Sequence, residues 1–97
     1  SDIIYIQTEN KLLILHTIHG DVQSSQRMNE LEKRLSTKQF YRCHNSYMVN
    51  FDYVEGVKQD SVLIKDKAQK LKTIPVSKYK KEEFMRALAR YVGKWEN

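Results

Sequence analysis

Short apolar and β-branched segments, each ended by a polar turn, constrain the fold of this chain more than any other feature. Segments of this kind predict β-strands. We expect them at residues 3–7, 12–18, 54–58, 61–65 and 71–76, with one or two more within residues 40–50. Pro75 cannot donate to a ladder, so the last strand lies at a sheet edge or ends there. The sequence therefore predicts a mostly β domain built from hairpins.

Two helices are expected besides the strands. Met28, Leu31 and Leu35 are spaced three and four apart and follow Ser24 and Ser25. This pattern predicts a helix near residues 25–35 with a serine cap and one buried face. A second apolar stripe, Phe84, Leu88 and Tyr91, predicts a C-terminal helix over residues 80–95 with Ser77 as its cap. Such a stripe is typical of a helix that docks onto its own domain.

The size and charge of the chain narrow its function. Its 97 residues provide for one small domain, and its net charge is +5. Residues 1–35 sum to −1, residues 36–81 to +6 and residues 82–97 to zero, so the excess is localised. A basic field of this kind attracts a polyanion such as nucleic acid. The alternative is a lysine-rich surface that is merely solvated.

The sequence contains no constellation typical of an enzyme. His16, His19 and His44 lack the spacing of metal ligands, and Cys43 is the only cysteine. Cys43 and His44 are neighbours on an expected strand, so they point to opposite faces and cannot form a nucleophile–base pair. We therefore expect no catalysis, no metal and no cofactor. Cys43 is interpreted as a half-buried thiol, with a redox role as the alternative because Arg42 is adjacent.

The composition also suggests where the protein resides. A single cysteine, with no signal peptide and no apolar run near the roughly 20 residues of a membrane helix, favours a reducing, cytoplasmic setting.

The segment 40–50 concentrates polar side chains that suit nucleic-acid recognition. If it is extended, Arg42, His44 and Ser46 share one face, and Cys43 and Asn45 share the other. An asparagine can pair bidentately with adenine in a major groove. Arg42 and Ser46 suit phosphate oxygens. The alternative is that Arg42 and His44 form internal hydrogen bonds that hold the loop.

Residues 40–50, FYRCHNSYMVN, resemble the central motif of the LytTR family of bacterial DNA-binding domains. Three further segments support the resemblance in the same order along the chain. Residues 2–6, DIIYI, resemble a strand of the family that reads D-I-x-Y-I. The expected helix at 25–35 falls where the family has one, and residues 74–78, IPVSK, resemble its I-P-V-S-R/K segment. The resemblance covers nearly the whole chain.

This resemblance implies stacked antiparallel sheets with short helices. It also implies the output domain of a bacterial two-component response regulator, controlling transcription. Such domains insert loops into successive major grooves of a bent duplex, commonly at paired direct repeats. The implied partners are double-stranded DNA, a receiver domain in the full-length protein and an upstream sensor histidine kinase. A dimer on DNA is one arrangement that such repeats favour. Residues 1–97 are then a single domain excised from a longer regulator, without the first strands of the family and without the receiver.

The resemblance also assigns residues to roles. Asn45 and Lys78 match base-contacting positions of the family, and the loop at residues 8–11 offers Asn10 and Lys11. Lysine lacks the bidentate fork of the arginine found in some relatives, so its specificity should be softer. The expected contacts to the DNA backbone are those of Arg42, Ser46, Ser77, Lys80 and Lys81.

Two other functions remain open at this point. A β module for RNA or single strands would stack bases on exposed tyrosines, with Tyr41, Tyr47, Tyr53 and Tyr79 as candidates. A protein-interaction module would use the C-terminal helix, and its basic charge would be incidental.

Overall fold

A computed structural model describes residues 2–96 of the chain, with side chains described as far as residue 93. Within this range there are eight strands, two α-helices and one 3₁₀ turn, Phe51–Tyr53. The strands are β1 (Ile3–Glu9), β2 (Leu12–Thr17), β3 (Gly20–Ser24), β4 (Phe40–His44), β5 (Tyr47–Asn50), β6 (Val54–Lys58), β7 (Ser61–Lys65) and β8 (Leu71–Pro75). The helices are α1 (Met28–Arg34) and α2 (Lys81–Glu96). The mostly β fold is confirmed.

The strands form two antiparallel sheets. The first sheet has five strands in the order β3-β2-β1-β5-β4, and the second has three in the order β6-β7-β8. Each consecutive pair within β1–β2–β3, β4–β5 and β6–β7–β8 is a hairpin. The only non-sequential neighbours in the described chain are β1 and β5, which pair antiparallel in the centre of the larger sheet. β8 is an edge strand and ends at Pro75, as the missing N–H requires.

Two apolar clusters cover both faces of the larger sheet. One cluster joins this sheet to the smaller sheet and α2, and it contains Val49, Val62 and Phe84. The other lies beneath α1, where Met28 and Leu31 pack on Ile6, Leu13, Phe40 and Met48. The stacked-sheet architecture is therefore confirmed, and it leaves the ends of the sheets as the places where turns meet solvent.

The serine caps predicted for the two helices are wrong. Ser24 is the last residue of β3, and its hydroxyl accepts from the backbone of Gln26 instead. The first turn of α1 bonds to the carbonyl of Arg27, whose side chain makes no cap, so the helix begins three residues later than expected. Ser77 belongs to a turn before α2, because Phe84 N–H donates to the Lys80 carbonyl and the helix starts at Lys81.

The apolar stripe of α2 docks onto the domain as expected. Phe84 is fully buried and contacts the rings of Tyr41 and Phe51. The hydroxyl of Tyr91 donates to the carboxylate of Asp52, which ties the helix to the 3₁₀ turn. No helix in the described part of the chain has the length and apolar character needed to cross a membrane.

Candidate nucleic-acid interface

Two turns lie side by side at one end of the five-stranded sheet. Asn10 and Lys11 connect β1 to β2, while Asn45 and Ser46 connect β4 to β5. The turns are adjacent because β1 and β5 are neighbours, and Thr8 N–H donates to the Ser46 carbonyl at 2.9 Å. The structure thus brings together three of the four side chains that the resemblance assigned to bases.

The β1–β2 turn has the geometry of a tight hairpin. Asn10 and Lys11 have φ values of 51° and 68°, both in the left-handed region. Two consecutive positive φ values make a type I′ turn, whose twist matches the flanking strands. Asparagine tolerates this conformation better than most residues, whereas lysine adopts it at a cost. Both side chains are exposed, so the turn presents an amide and an ammonium group to solvent.

Two hydrogen bonds that involve side chains of β4 stabilise the β4–β5 turn. Arg42 Nη2 donates to the Asn45 carbonyl at 2.7 Å, and Ser46 N–H donates to Nδ1 of His44 at 3.1 Å. His44 therefore holds the loop internally, as the alternative interpretation stated. Asn45 and Ser46 are turn residues and do not continue the alternation of β4. The Asn45 side chain is exposed.

The guanidinium group of Arg42 is hydrogen-bonded mainly to other groups of the protein. Besides the Asn45 carbonyl, its guanidinium donates to Asn29 and to Glu32 of α1, the latter at 3.2 Å. Its side chain is only 15% exposed. These bonds fit the internal-bonding alternative and leave little of the guanidinium for the phosphate contact expected from the sequence.

The segment that follows β8 lies against β4. Ser77 N–H donates to the Cys43 carbonyl at 2.7 Å, and Lys80 Nζ donates to the Arg42 carbonyl at 3.2 Å. Between them Lys78 and Tyr79 are exposed, Tyr79 by 93%. The fourth assigned base-contacting residue, Lys78, thus lies in a segment fastened to the strand that leads into the Asn45 turn.

A groove of about 280 Å³ runs along the two turns. Thr8, Lys11, Asn45 and Ser46 line it, together with Arg27 at the start of α1. Sequence reasoning missed Arg27, since a single arginine before a helix carries no signal of its own. Its place in the groove follows from β3, which returns the chain to this end of the sheet.

The basic segment at residues 36–81 is divided in space. Lys78 and Lys80 belong to the segment that is hydrogen-bonded to β4, whereas Lys81 Nζ is 3.9 Å from the carboxylate of Asp60 in the β6–β7 turn. The lysines around the β7–β8 turn lie elsewhere: Lys65 and Lys67 share a cavity with Ile18, in the β2–β3 turn at the opposite end of the larger sheet. Only part of the positive charge is therefore available to one ligand.

Cys43 is sealed in the core. It has no exposed surface, and its thiol donates to the Pro75 carbonyl oxygen at 3.5 Å. Burial raises the pKa of the thiol to about 12, which suppresses the reactive thiolate. The cysteine is fully buried rather than half-buried, and its surroundings argue against the redox alternative. Within the described residues, no three His, Cys, Asp or Glu side chains cluster as metal ligands would.

Comparisons with known proteins agree on one family. A family model described as the LytTr DNA-binding domain matches residues 1–89. The transcriptional regulatory protein LytR of Staphylococcus aureus is 34% identical over 58 residues, which is 60% of this chain and 24% of LytR. The sensory transduction protein LytT of Oceanobacillus iheyensis is 36% identical over 76 residues, covering 72% of this chain and 30% of LytT. The chain thus spans about a quarter to a third of these relatives.

A solved structure has the same fold. It is the LytTr DNA-binding domain of a putative methyl-accepting/DNA response regulator from Bacillus cereus, with a TM-score of 0.76. The match covers 90% of this chain and 81% of the other at 20% sequence identity.

Proposed function

Because this chain belongs to the LytTR family of DNA-binding domains, we propose that it binds double-stranded DNA sequence-specifically through its turns and regulates transcription. The observation that carries the proposal is the convergence of exposed Asn45, Asn10 and Lys11 on adjacent turns at one end of the sheet. An asparagine amide matches the N6 and N7 edge of adenine, and lysine donates to guanine oxygen and nitrogen acceptors. Lys78 adds a second ammonium donor from the segment beside β4.

Turns, not a helix, are the reading elements in this proposal. The apolar stripe of α2 is used to pack on the sheets, and α1 covers the other face of the larger sheet. The two groups of candidate base contacts, on the sheet-end turns and on residues 77–80, would enter successive major grooves. A bent duplex would let both engage, and the cost of the bend would depend on the DNA sequence.

Contacts to the DNA backbone come from the rim of the same surface. Ser46, Ser77, Lys80 and Lys81 are the proposed phosphate contacts, with Lys81 shared between phosphate and Asp60. Arg42 takes a different role from the one expected: it positions the Asn45 turn through its bond to the Asn45 carbonyl. Affinity then depends largely on lysines, and specificity on the turns.

The wider context is proposed from the relatives. LytR is named a transcriptional regulatory protein and LytT a sensory transduction protein. We infer that this domain is the output part of a response regulator, joined to a receiver domain and controlled by a sensor histidine kinase. Paired direct repeats would place two copies on one duplex.

The first test is a selection from random double-stranded DNA at about 0.15 M salt, with a single-stranded pool in parallel, because phosphate-driven affinity falls steeply with salt. We expect enrichment of a short motif that recurs as a spaced repeat in the duplex pool. Enrichment confined to single strands would contradict the proposal and favour base stacking on exposed Tyr79. Tyr41, Tyr47 and Tyr53 pack against the core, which weakens that alternative.

A single substitution then tests the role of the turn. Asn45→Ala should cost about 1–3 kcal/mol on the selected site and almost nothing on a random duplex, because only base contacts carry sequence information. Fluorescence anisotropy on both duplexes measures this. Gln23→Ala, on the exposed edge strand β3, is the control and should leave both affinities unchanged. Equal losses on the two duplexes for Asn45→Ala would overturn the assignment of Asn45.

A further inference from the structure

A second cavity, of about 430 Å³, lies between α1, β4 and α2. Leu35, Phe40, Met48 and Ala87 provide apolar lining, and the rings of Tyr41 and Tyr91 add to it. Its volume falls in the range of small-molecule sites, and apolar walls beside polar groups that can orient a ligand are a feature of such sites. None of the proposed DNA contacts except Lys80 lines it.

The charges around this cavity favour an anion. Four cationic side chains line it (Lys38, Arg42, Lys80 and Arg90) against two acidic ones, Glu32 and Glu83. Both acids already have partners: Glu32 pairs with Arg42 at 3.2 Å, and Glu83 is hydrogen-bonded to the Tyr41 hydroxyl. The lining therefore carries a positive excess beside apolar surface.

Arg42, one of the lining residues, has one guanidinium N–H that is not hydrogen-bonded within the described part of the chain. Its Nε is buried and has no hydrogen-bond partner among the described residues, although Nη1 and Nη2 are both engaged. A buried donor without an acceptor is costly, so a ligand that offers one is favoured. Arg42 also lines the groove that contains Asn45, so one guanidinium borders both sites.

We propose that the cavity binds a small amphipathic carboxylate, with its apolar body against Phe40 and Ala87 and its carboxylate drawn to Arg42 and Arg90, and that binding weakens DNA recognition. The second half of this proposal rests on the proposed DNA-binding function. A carboxylate binds a guanidinium best through two adjacent N–H groups. Turning the buried Nε–H toward the cavity therefore competes with the Nη2 bond that holds the Asn45 carbonyl.

Binding is tested on the free domain, without DNA. In ¹⁵N-correlated NMR spectra, 2-naphthoate should shift the Arg42 Nε–H resonance saturably, and neutral 2-naphthamide should not. Arg90→Gln should weaken naphthoate binding about two- to fivefold, the usual effect of one partly exposed charge. Arg86→Gln is the matched control on the same helix, since Arg86 is outside the lining and pairs with Glu82. Equal shifts with the two probes, or none up to about 5 mM, would overturn the site.

The coupling to DNA is tested separately. Saturating naphthoate should lower the affinity for the selected duplex at constant ionic strength, and naphthamide should leave it unchanged. Unchanged affinity with the cavity occupied would overturn the coupling. At a subsaturating naphthoate concentration, Arg90→Gln should lose less DNA affinity than Arg86→Gln; equal losses would mean that the probe competes at the DNA surface, and would overturn the coupling too. If the domain binds no duplex, the proposed function fails, while the NMR result still decides the cavity.

Discussion

Asn45 and Asn50 belong to the same hairpin, yet their surroundings are opposite. Asn45 is exposed in the turn, whereas Asn50 has no exposed surface. The Asn50 amide donates to the Ile3 carbonyl at 2.7 Å, and its oxygen accepts from Asp52 N–H at 2.9 Å. Asn50 thus joins the start of β1 to the 3₁₀ turn, and it acts on stability instead of on recognition.

We expect Asn50→Ala to lower the free energy of unfolding by about 1–3 kcal/mol, because it removes both hydrogen bonds that this fully buried amide makes between β1 and the 3₁₀ turn. Urea unfolding followed by circular dichroism measures this. Asn45→Ala is the control and should change stability by less than about 0.5 kcal/mol. A small effect of Asn50→Ala would mean that water replaces the amide, contrary to the burial described.

Cys43 is predicted to be inert in the folded protein. Burial raises its pKa from 9.0 to about 12, so at pH 8 the thiolate is about a thousandfold scarcer than in the unfolded chain. Alkylation by iodoacetamide should be correspondingly slow and should become fast in urea. Because the folded state disfavours the thiolate, this group also destabilises the fold as pH rises from 9 toward 12. Rapid alkylation of the native protein would restore the redox alternative.

At the scale of elements, the hairpins were predictable and the caps were not. Alternation and turn residues located β6 and β7 to the residue, and Pro75 marked the end of β8. β3 was missed because its residues, Gly20–Ser24, are mostly polar and exposed, as an edge strand allows. Ser24 was assigned to a helix cap because it precedes apolar residues at helical spacing. The sequence pattern is the same whether such a serine caps the helix or ends the preceding strand.

One substitution in the β1–β2 turn should change the stability of the protein and its affinity for DNA in opposite directions. Lys11→Gly should raise the free energy of unfolding by about 0.5–1 kcal/mol, because Asn-Gly is the preferred pair for a type I′ turn and glycine adopts positive φ freely. The same change removes an ammonium group and should weaken binding to the selected duplex. Thermal unfolding and anisotropy measure the two effects. A less stable Lys11→Gly variant would contradict the turn geometry.

At the scale of the whole molecule, the charge of the chain is divided between two ends. The lysines of the β7–β8 turn lie near the β2–β3 turn, away from the Asn45 end. Asp66 in that turn has a lowered pKa because backbone N–H groups of Lys70 and Ala68 bond to its carboxylate, with nearby lysines adding to the effect. These charges stabilise their own turn and are not counted among the DNA contacts.

This division predicts different salt dependences for two lysines of the same basic segment. Lys80→Ala should weaken binding to the selected and random duplexes alike, and should reduce the slope of log K against log salt by about one. Lys70→Ala, at the other end, should leave affinity and slope unchanged. Anisotropy titrations over a range of salt concentrations measure both. A slope reduced in Lys70→Ala as well would mean that DNA reaches both ends, and a slope unchanged in Lys80→Ala would contradict its phosphate contact.

The sequence alone determined the class of fold, the family and the identity of the polar side chains in the turns, because hairpin alternation and the motifs at residues 2–6, 40–50 and 74–78 are local signals. The tertiary structure decided which of those side chains are exposed and which are engaged in contacts within the protein. The β1–β5 pairing sets the Asn10 and Asn45 turns side by side, and α1 engages the Arg42 guanidinium that the sequence had assigned to phosphate. Both outcomes depend on contacts between residues far apart in the chain, which no local pattern records.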